Sequence, residues 1–278
     1  MCLMKKILFS LLFILLVISG CSSENIEPHP QVTHSLLQKE QPPADFIPKD
    51  IKIVSIGDSL TQGVGDSTKS GGYVPFLQSD LERLDSIKTA EFTNYGVRGN
   101  RTDQLLKRLK SEEVSSAISD SDLVFITIGG NDVMKVFKEN LYDLNLAVFN
   151  KEMVNYADRL REILTLIRQY NPDGGIVLVG IYNPFNTWFS EIKEVDEIIL
   201  NWNLLSEEVL AEYDRTAFVK INEIFIEGQD SLLFEGDYFH PNDDGYELMA
   251  ERMFEELTER ETLAELTQSE FIVGEEGL

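Results

Sequence analysis

Two kinds of segment alternate along most of this chain: short apolar runs rich in β-branched residues, and longer stretches with helical periodicity. The apolar runs are too uniformly apolar to leave one face in water, which predicts strands covered on both sides. Such strands are predicted at 51–56, 91–97, 122–128, 175–181 and 217–221. A strand–helix–strand order of this kind implies a parallel sheet with helices on both of its faces.

The clearest helix is predicted from Met153 to Tyr170, where apolar residues form one stripe and Asn171-Pro172 end the pattern. Further helices are predicted at 74–84, 102–109, 195–213 and 243–257. The apolar content of 43% is enough for a sizeable core, and no internal repeat is evident. We therefore expect one domain at 51–260, followed by an acidic, frayed tail at 261–278.

The N-terminal segment, residues 1–20, has the features of a signal peptide: Lys5 and Lys6, then a twelve-residue apolar stretch and the small pair Ser19-Gly20. The order I-S-G-C resembles a bacterial lipobox. That resemblance implies cleavage before Cys21 and acylation of its sulfur. An ordinary secretory signal with an incidental cysteine is the alternative. The expected location is extracytoplasmic, with the protein held at the cell membrane by lipid on Cys21.

Residues 21–50 are expected to be a flexible tether, because proline and polar residues dominate there. His29 and His34 lie in this segment and are interpreted as solvated linker residues, since a metal site needs further ligands held in place. The formal net charge of −24 argues against nucleic acid or an anionic membrane face as an electrostatic partner.

Polar and glycine residues follow each predicted strand. In an open parallel sheet, ligands bind at the edge where the strands end, so these residues are candidates for one site. Taken singly, each has a structural explanation as a helix cap or a turn. Their convergence on one edge favours a functional site instead. The groups are 57–59, 99–100, 129–132, 182–185 and, after a longer loop, 237–241.

These residues are the ones that acyl transfer to a serine requires. Ser59 lies on a strand-to-helix turn and is the candidate nucleophile, and His240 is the candidate general base. Asp237, three residues earlier, is placed to orient the imidazole and to hold its pKa at or above the ordinary value of about 6.5. The candidate oxyanion donors are the amides of Ser59 and Gly99 and the carboxamide of Asn131. Gly99 is interpreted as a position where a missing side chain lets the backbone approach.

Four motifs also carry a family resemblance: GDSLTQG, NYGVRGNRT, IGGNDV and DYFHPNDDGYELMA. Together they resemble the signature blocks of the SGNH, or GDSL, hydrolases, over about 190 residues. The resemblance implies a flavodoxin-like, three-layer α/β/α fold with a five-stranded parallel sheet. It also implies esterase or lipase activity without a metal or another cofactor. The family's functional positions are Ser59, Gly99, Asn131, Asp237 and His240, and this chain departs from the pattern at none of them.

Three rival chemistries fit the sequence less well. An α/β-hydrolase elbow needs glycine where Thr61 stands, and a phosphatase of the haloacid dehalogenase type needs an acid at Leu60. A catalytic zinc needs more ligands than His240 and Asp237 supply. A metal-free serine hydrolase is the interpretation that remains.

The favoured substrates are carboxylic esters at the outer face of a bacterial membrane, with lipid or lysophospholipid acyl esters ahead of others. The enzymatic alternative is removal of O-acetyl groups from cell-wall or extracellular glycans. A third hypothesis is a lipid-anchored binding protein without turnover. Segments 134–150 and 184–194 are expected to shape the pocket. Four aromatic residues either line an acyl site or belong to the core: Tyr182, Phe185, Trp188 and Phe189.

Overall fold

Five parallel strands form one sheet in the order β2-β1-β3-β4-β5. The structure is a computed structural model, and it describes residues 47–140, 146–184, 193–259 and 262–268. All of these belong to one unit of the chain, Gln41–Leu278. The strands are β1 (Lys49–Gly57), β2 (Ile87–Gly96), β3 (Leu123–Thr127), β4 (Gly175–Val179) and β5 (Thr216–Val219). This strand order confirms the predicted flavodoxin-like sheet.

Helices cover both faces of the sheet. Along the described chain they are α1 (Ser59–Gln62), α2 (Val74–Leu81), α3 (Thr102–Arg108), α4 (Glu112–Ser119), α5 (Gly130–Glu139), α6 (Leu146–Tyr170), α7 (Lys193–Leu210), α8 (Asn222–Gly228), α9 (Asp243–Thr258) and α10 (Thr262–Thr267). A 3₁₀ turn, Gln229–Leu232, follows α8. None of the described helices combines the length and apolar character needed to cross a membrane.

Alternate strand residues feed two separate cores, one on each side of the sheet. Ile53 and Phe125 pack with α2, α9 and α10, whereas Ile56 and Ile126 pack with α3 to α7. Strands β3 and β4 are buried at every position. The three-layer α/β/α architecture is therefore confirmed, and burial on both faces explains why the central strands lack polar alternation.

Strand β2 differs from the prediction in its exposure. It is an edge strand that pairs only with β1 in the sheet, and Glu91, Thr93 and Asn94 are exposed. The expectation that this run is too apolar to face water is therefore wrong for β2. An edge strand needs less cover, and polar side chains there limit pairing with other chains.

The packed domain also extends further towards the C-terminus than the sequence pattern predicts. Leu263 and Leu266, on α10, are fully buried in the same core as α9. The boundary at residue 260 therefore falls too early, because two leucines three positions apart are enough to dock one helical turn. The rest of the expected tail, 269–278, lies outside the described residues, as do the signal peptide and most of the tether.

The register of the sheet aligns the strand ends. Gly57 at the end of β1 is level with Gly96 on β2 and with Thr127 on β3, and Thr127 is level with Val179 on β4. The residues that follow these strands therefore come together at one edge, where a parallel sheet with this strand order places its ligands.

Candidate active site

The turn after β1 shows why glycine, aspartate and serine occur in that order. Gly57 has φ +140°, and a Cβ there would lie 2.0 Å from the carbonyl oxygen of Thr127 on β3. Asp58 caps α1, because its Oδ1 accepts from the amide of Leu60 at 3.0 Å. Ser59 is the first residue of that helix rather than its cap. Its hydroxyl is therefore free of a capping role.

A buried polar network fixes this turn from below. The Thr127 hydroxyl donates to Asp58 Oδ1 at 2.9 Å and lies 2.8 Å from the Thr61 hydroxyl, which in turn lies 3.1 Å from Tyr73 Oη. Burial raises the pKa of Asp58 to about 7, although the amide of Leu60 and the hydroxyl of Thr127 donate to it. Because these buried groups bond to one another, the position of Ser59 is set by several elements at once.

The structure brings the three predicted triad residues together. Ser59 Oγ lies 2.9 Å from His240 Nε2, and His240 Nδ1 lies 2.6 Å from Asp237 Oδ2. The other carboxylate oxygen, Oδ1, accepts from the backbone amides of Phe239 and His240 at 3.0 and 3.1 Å. Tyr238 adopts φ +48° within this tight turn. The arrangement has the bonding order of a serine nucleophile, a histidine base and an orienting carboxylate.

The electrostatics of His240 differ from the expectation. Burial of the ring lowers its pKa more than the hydrogen bond and the charge of Asp237 raise it, and the nearby cation of Arg98 lowers it further. The expectation of an unchanged or raised pKa is therefore wrong. Burial also opposes ionisation of Asp237, yet the donors of His240 and Phe239 outweigh it and lower the pKa of that carboxyl.

We expect kcat/KM for a neutral ester to fall on acidification with a midpoint below 6.5, the ordinary pKa of imidazole. The base must be neutral, and a lowered pKa keeps it neutral to lower pH. Arg98→Met should move the midpoint upward, because the Arg98 cation, 4.0 Å from Asp237, lowers the pKa of His240 and the variant removes it. A stopped assay across the pH range measures both midpoints. A wild-type midpoint above 6.5 would contradict this electrostatic account.

The predicted oxyanion donors lie on neighbouring loops at the same edge. Asn131, in the first turn of α5, donates from Nδ2 to the carbonyl oxygen of Asn100 at 3.1 Å, which fixes its carboxamide beside the Gly99 loop. Gly99 has φ +77°, and apart from its chain neighbours no atom of the described residues lies within 4 Å of a Cβ built there. The left-handed backbone therefore favours glycine here, and crowding by the protein does not; that the missing side chain lets this amide approach the oxyanion stays a prediction. That these groups bind an oxyanion stays a prediction.

Two arginines support this edge and were not singled out from the sequence. Arg108, on α3, donates to the carbonyl oxygens of Gly57 and Tyr95 at 3.3 and 2.5 Å, and to Asn100 Oδ1 at 3.1 Å. It thereby ties the end of β1 to the Gly99 loop. Arg98 lies at the exposed side of the triad, beside Asp237. Of the two, only Arg108 could have been noticed in the sequence, because basic residues favour the last turn of a helix and Arg108 lies in the last turn of α3.

An apolar pocket opens directly beside Ser59. Ser59 itself lines this pocket, together with the polar residues Asp58 and Asn131. The remaining walls come from α5, α6, α7 and the segment after β4, and they include Val133, Met134, Phe137, Phe149, Ile181, Tyr182, Pro184, Val195, Ile198 and Ile199. The described parts of segments 134–150 and 184–194 therefore do shape the pocket. Of the aromatic cluster, Tyr182 contributes a wall, and Phe185, Trp188 and Phe189 lie outside the described residues.

Within the described ranges, no three imidazole, thiol or carboxylate side chains group closely enough to hold a metal ion. The fold and this arrangement of serine, histidine and aspartate define a class of protein, the ester hydrolases that present a serine at the edge of a parallel sheet. The GDSL-like lipase/acylhydrolase family matches residues 55–248, more than half of the chain. The chain belongs to this family and is a carboxylic ester hydrolase.

Individual proteins are also similar to this chain. A Bacillus subtilis (strain 168) protein, the uncharacterized YpmR, is 35% identical over 91% of this chain and 97% of its own length. Among solved structures, the lipase Lip_vut3 from a goat rumen metagenome superposes with a TM-score of 0.64 at 22% identity, covering 73% of this chain and 95% of its own. A variant of Axe2, an acetyl-xylooligosaccharide esterase from Geobacillus, gives 0.59 at 22% identity, covering 76% and 96%. These two likenesses are at the level of the fold.

Proposed function

We propose that this chain hydrolyses lipid or lysophospholipid acyl esters through an acyl-enzyme on Ser59. The observation that carries the proposal is the apolar pocket beside the nucleophile, walled by side chains such as Phe137, Phe149 and Ile198. Each methylene of an acyl chain that leaves water for such a surface contributes about 0.8 kcal/mol. An acyl chain longer than acetyl therefore gains binding energy from these walls that an acetyl group cannot.

The geometry supports a two-step reaction. Ser59 Oγ attacks the ester carbonyl while His240 Nε2, 2.9 Å away, accepts its proton. Asp237 stabilises the imidazolium through Nδ1, and the developing oxyanion receives bonds from the donors at Ser59, Gly99 and Asn131. The alcohol leaves with the proton from His240, which gives the acyl-enzyme. Water activated by the same imidazole then releases the carboxylic acid and restores Ser59.

A chain-length series tests the proposed substrate. We expect hydrolysis of p-nitrophenyl esters from two to sixteen carbons to peak at medium or long chains, and acetylated glycan to be a poor substrate. Met134→Trp should move the peak towards short chains, because the larger indole projects from α5 and fills part of the pocket. Hydrolysis of the acetate ester should change little. The control is Leu200→Trp, at an exposed position of α7.

The outcomes of this series separate the alternatives. Activity confined to acetyl esters and acetylated glycan would favour the O-acetyl esterase, the class of activity that the name of Axe2 states. If the folded protein turned over no ester at all, the hypothesis of a non-catalytic binding protein would remain. The bonded triad supports turnover over that third hypothesis.

We also propose that the enzyme is anchored at the outer face of a bacterial membrane by lipid on Cys21, a residue outside the described ranges. The order I-S-G-C and the apolar stretch before it support this. Cys21→Ser should release the protein from the membrane fraction or leave it unprocessed, with the domain folded. Cys2→Ser is the matched control and should not alter fractionation, since cleavage removes Cys2. Unmodified mature wild-type chain in the medium, identified by mass spectrometry, would reject the anchor.

A further inference from the structure

A charged cluster lies directly beneath the predicted oxyanion site. The Asp132 side chain is only 1% exposed, and its two oxygens accept from the amide and the hydroxyl of Thr102 at 3.0 and 2.6 Å. Arg159, on α6, donates from Nε to the Thr102 hydroxyl at 2.6 Å and from Nη2 to Asp132 Oδ1 at 3.1 Å. Glu152 binds the same Nη2 at 2.7 Å. The guanidinium therefore bridges two other elements of the fold.

The two bridged elements are the ones that carry the oxyanion donors. Asp132 directly follows Asn131 in the first turn of α5, and Thr102 begins α3 three residues after Gly99. The bond from Asn131 to the Asn100 carbonyl already joins the two loops at their upper side. The two bonds between Asp132 and Thr102, which Arg159 braces from α6, join them a second time. Two connections fix the separation and the tilt of the loops, whereas one would leave a hinge.

We propose that Arg159 is a positioning residue for ester hydrolysis, which holds the Asn131 turn and the Gly99 loop so that both donors face one oxyanion. This inference rests on the oxyanion assignment within the proposed function. Arg159 acts through Asp132 and Thr102 and does not itself contact the substrate. Its fork of donors suits the task, because a guanidinium binds a carboxylate and a hydroxyl in one plane and an ammonium cannot.

A purely structural role is the competing explanation, since Arg159 also compensates a buried carboxylate. Burial raises the pKa of Asp132, while the donors of Thr102 and the charge of Arg159 oppose that shift. If the role is purely structural, loss of Arg159 would lower stability and the amount of folded enzyme, and its effect on kcat would be the same with or without Asn131. A double-mutant cycle separates the two roles, because only positioning makes the effect of Arg159 depend on Asn131.

The experiment measures kcat and KM for p-nitrophenyl acetate with Arg159→Met in the wild-type and Asn131→Ala backgrounds. In the wild-type background we expect kcat to fall about 10- to 100-fold, because a displacement of the oxyanion donors by about 1 Å has an effect of that size. KM should change much less. In the Asn131→Ala background the same change should cost only a few-fold, because one of the two aligned donors is already gone and Arg108 still ties the Gly99 loop to Gly57 and Tyr95. Arg161→Met, two residues along α6 at an exposed pair with Glu212, is the control and should leave kcat unchanged.

Arg159→Lys and Glu152→Gln give a second route if Arg159→Met does not fold. Both keep a polar environment for Asp132 but weaken the bridge, so each should show a smaller fall in kcat with the same dependence on Asn131. Equal fold-changes in the two backgrounds, or no fall at all in folded protein, would overturn the proposal. Folded wild-type enzyme that turns over no p-nitrophenyl ester from two to sixteen carbons would instead refute the proposed function itself.

Discussion

Ser59→Ala is expected to reduce ester hydrolysis to near background, a loss of about 10⁶-fold by analogy with other serine triads. The change removes the attacking oxygen and leaves His240 and the oxyanion donors in place. The bond that is lost joins Ser59 Oγ to His240 Nε2, and the capping of α1 belongs to Asp58, so the fold should persist. Initial rates on p-nitrophenyl butyrate, with circular dichroism of the same samples, measure this.

Covalent labelling makes the assignment of Ser59 specific. An organophosphonate should modify wild-type enzyme at Ser59 alone, as mass spectrometry of the peptide would show, and should leave Ser59→Ala unlabelled. Ser115→Ala is a suitable control, because that hydroxyl donates to the Glu112 carbonyl within α4. A folded Ser59→Ala enzyme with substantial activity, or a label on another serine, would contradict the assignment of the nucleophile.

The sequence predicts the sheet well because burial leaves a direct mark on composition. Strands β3 and β4 are covered on both faces, so each is an almost wholly apolar run, and the first polar residues of the loops beyond them follow within about four positions. Parallel strands end at one edge, and that single rule brings residues as distant as Ser59 and His240 into one site. The edge strand β2 is predicted less well, because its exposure depends on having a neighbouring strand on one side only within the described part of the sheet.

Helix α5 shows where sequence patterns mislead. It begins at Gly130, in a Gly-Gly-Asn-Asp stretch that reads as a turn, since glycine disfavours helices. Tertiary packing overrides that preference, because Val133 and Val136 are buried in the core. Placing Asn131 in the first turn of a helix gives its carboxamide a firmer support than a turn would provide.

The features that the sequence could not predict depend on contacts between distant elements. Arg159 lies in a helix with several other charged residues and nothing in the neighbouring sequence distinguishes it, yet it reaches Thr102 and Asp132. The direction of the His240 pKa shift also could not be predicted from the sequence. Asp237, which raises the pKa, is visible three residues away, whereas the burial that outweighs it arises only in the folded protein. Local sequence identifies charged partners, but burial is a property of the whole fold.

Asn131→Ala tests the assignment of a side chain to the oxyanion site. It deletes one preorganised donor and keeps the nucleophile and base, so we expect kcat to fall about 10²–10³-fold. The ground-state carbonyl carries little charge, so KM should change much less than kcat. Asn140→Ala, at the C-terminal end of the same helix, is the matched control, since its Nδ2 donates to the Val136 carbonyl.

The structure sharpens this test because Asn131 has a second bond, to the Asn100 carbonyl. Its loss could loosen the Gly99 loop, so a fall in kcat alone does not separate a missing donor from a displaced loop. Arg108 still ties that loop to Gly57 and Tyr95 in the variant, which limits such movement. Asn131→Asp keeps the shape but lacks the amide donors and adds an anion, so it should be at least as impaired as alanine. A folded Asn131→Ala enzyme with near wild-type kcat would show that the oxyanion is stabilised without this carboxamide.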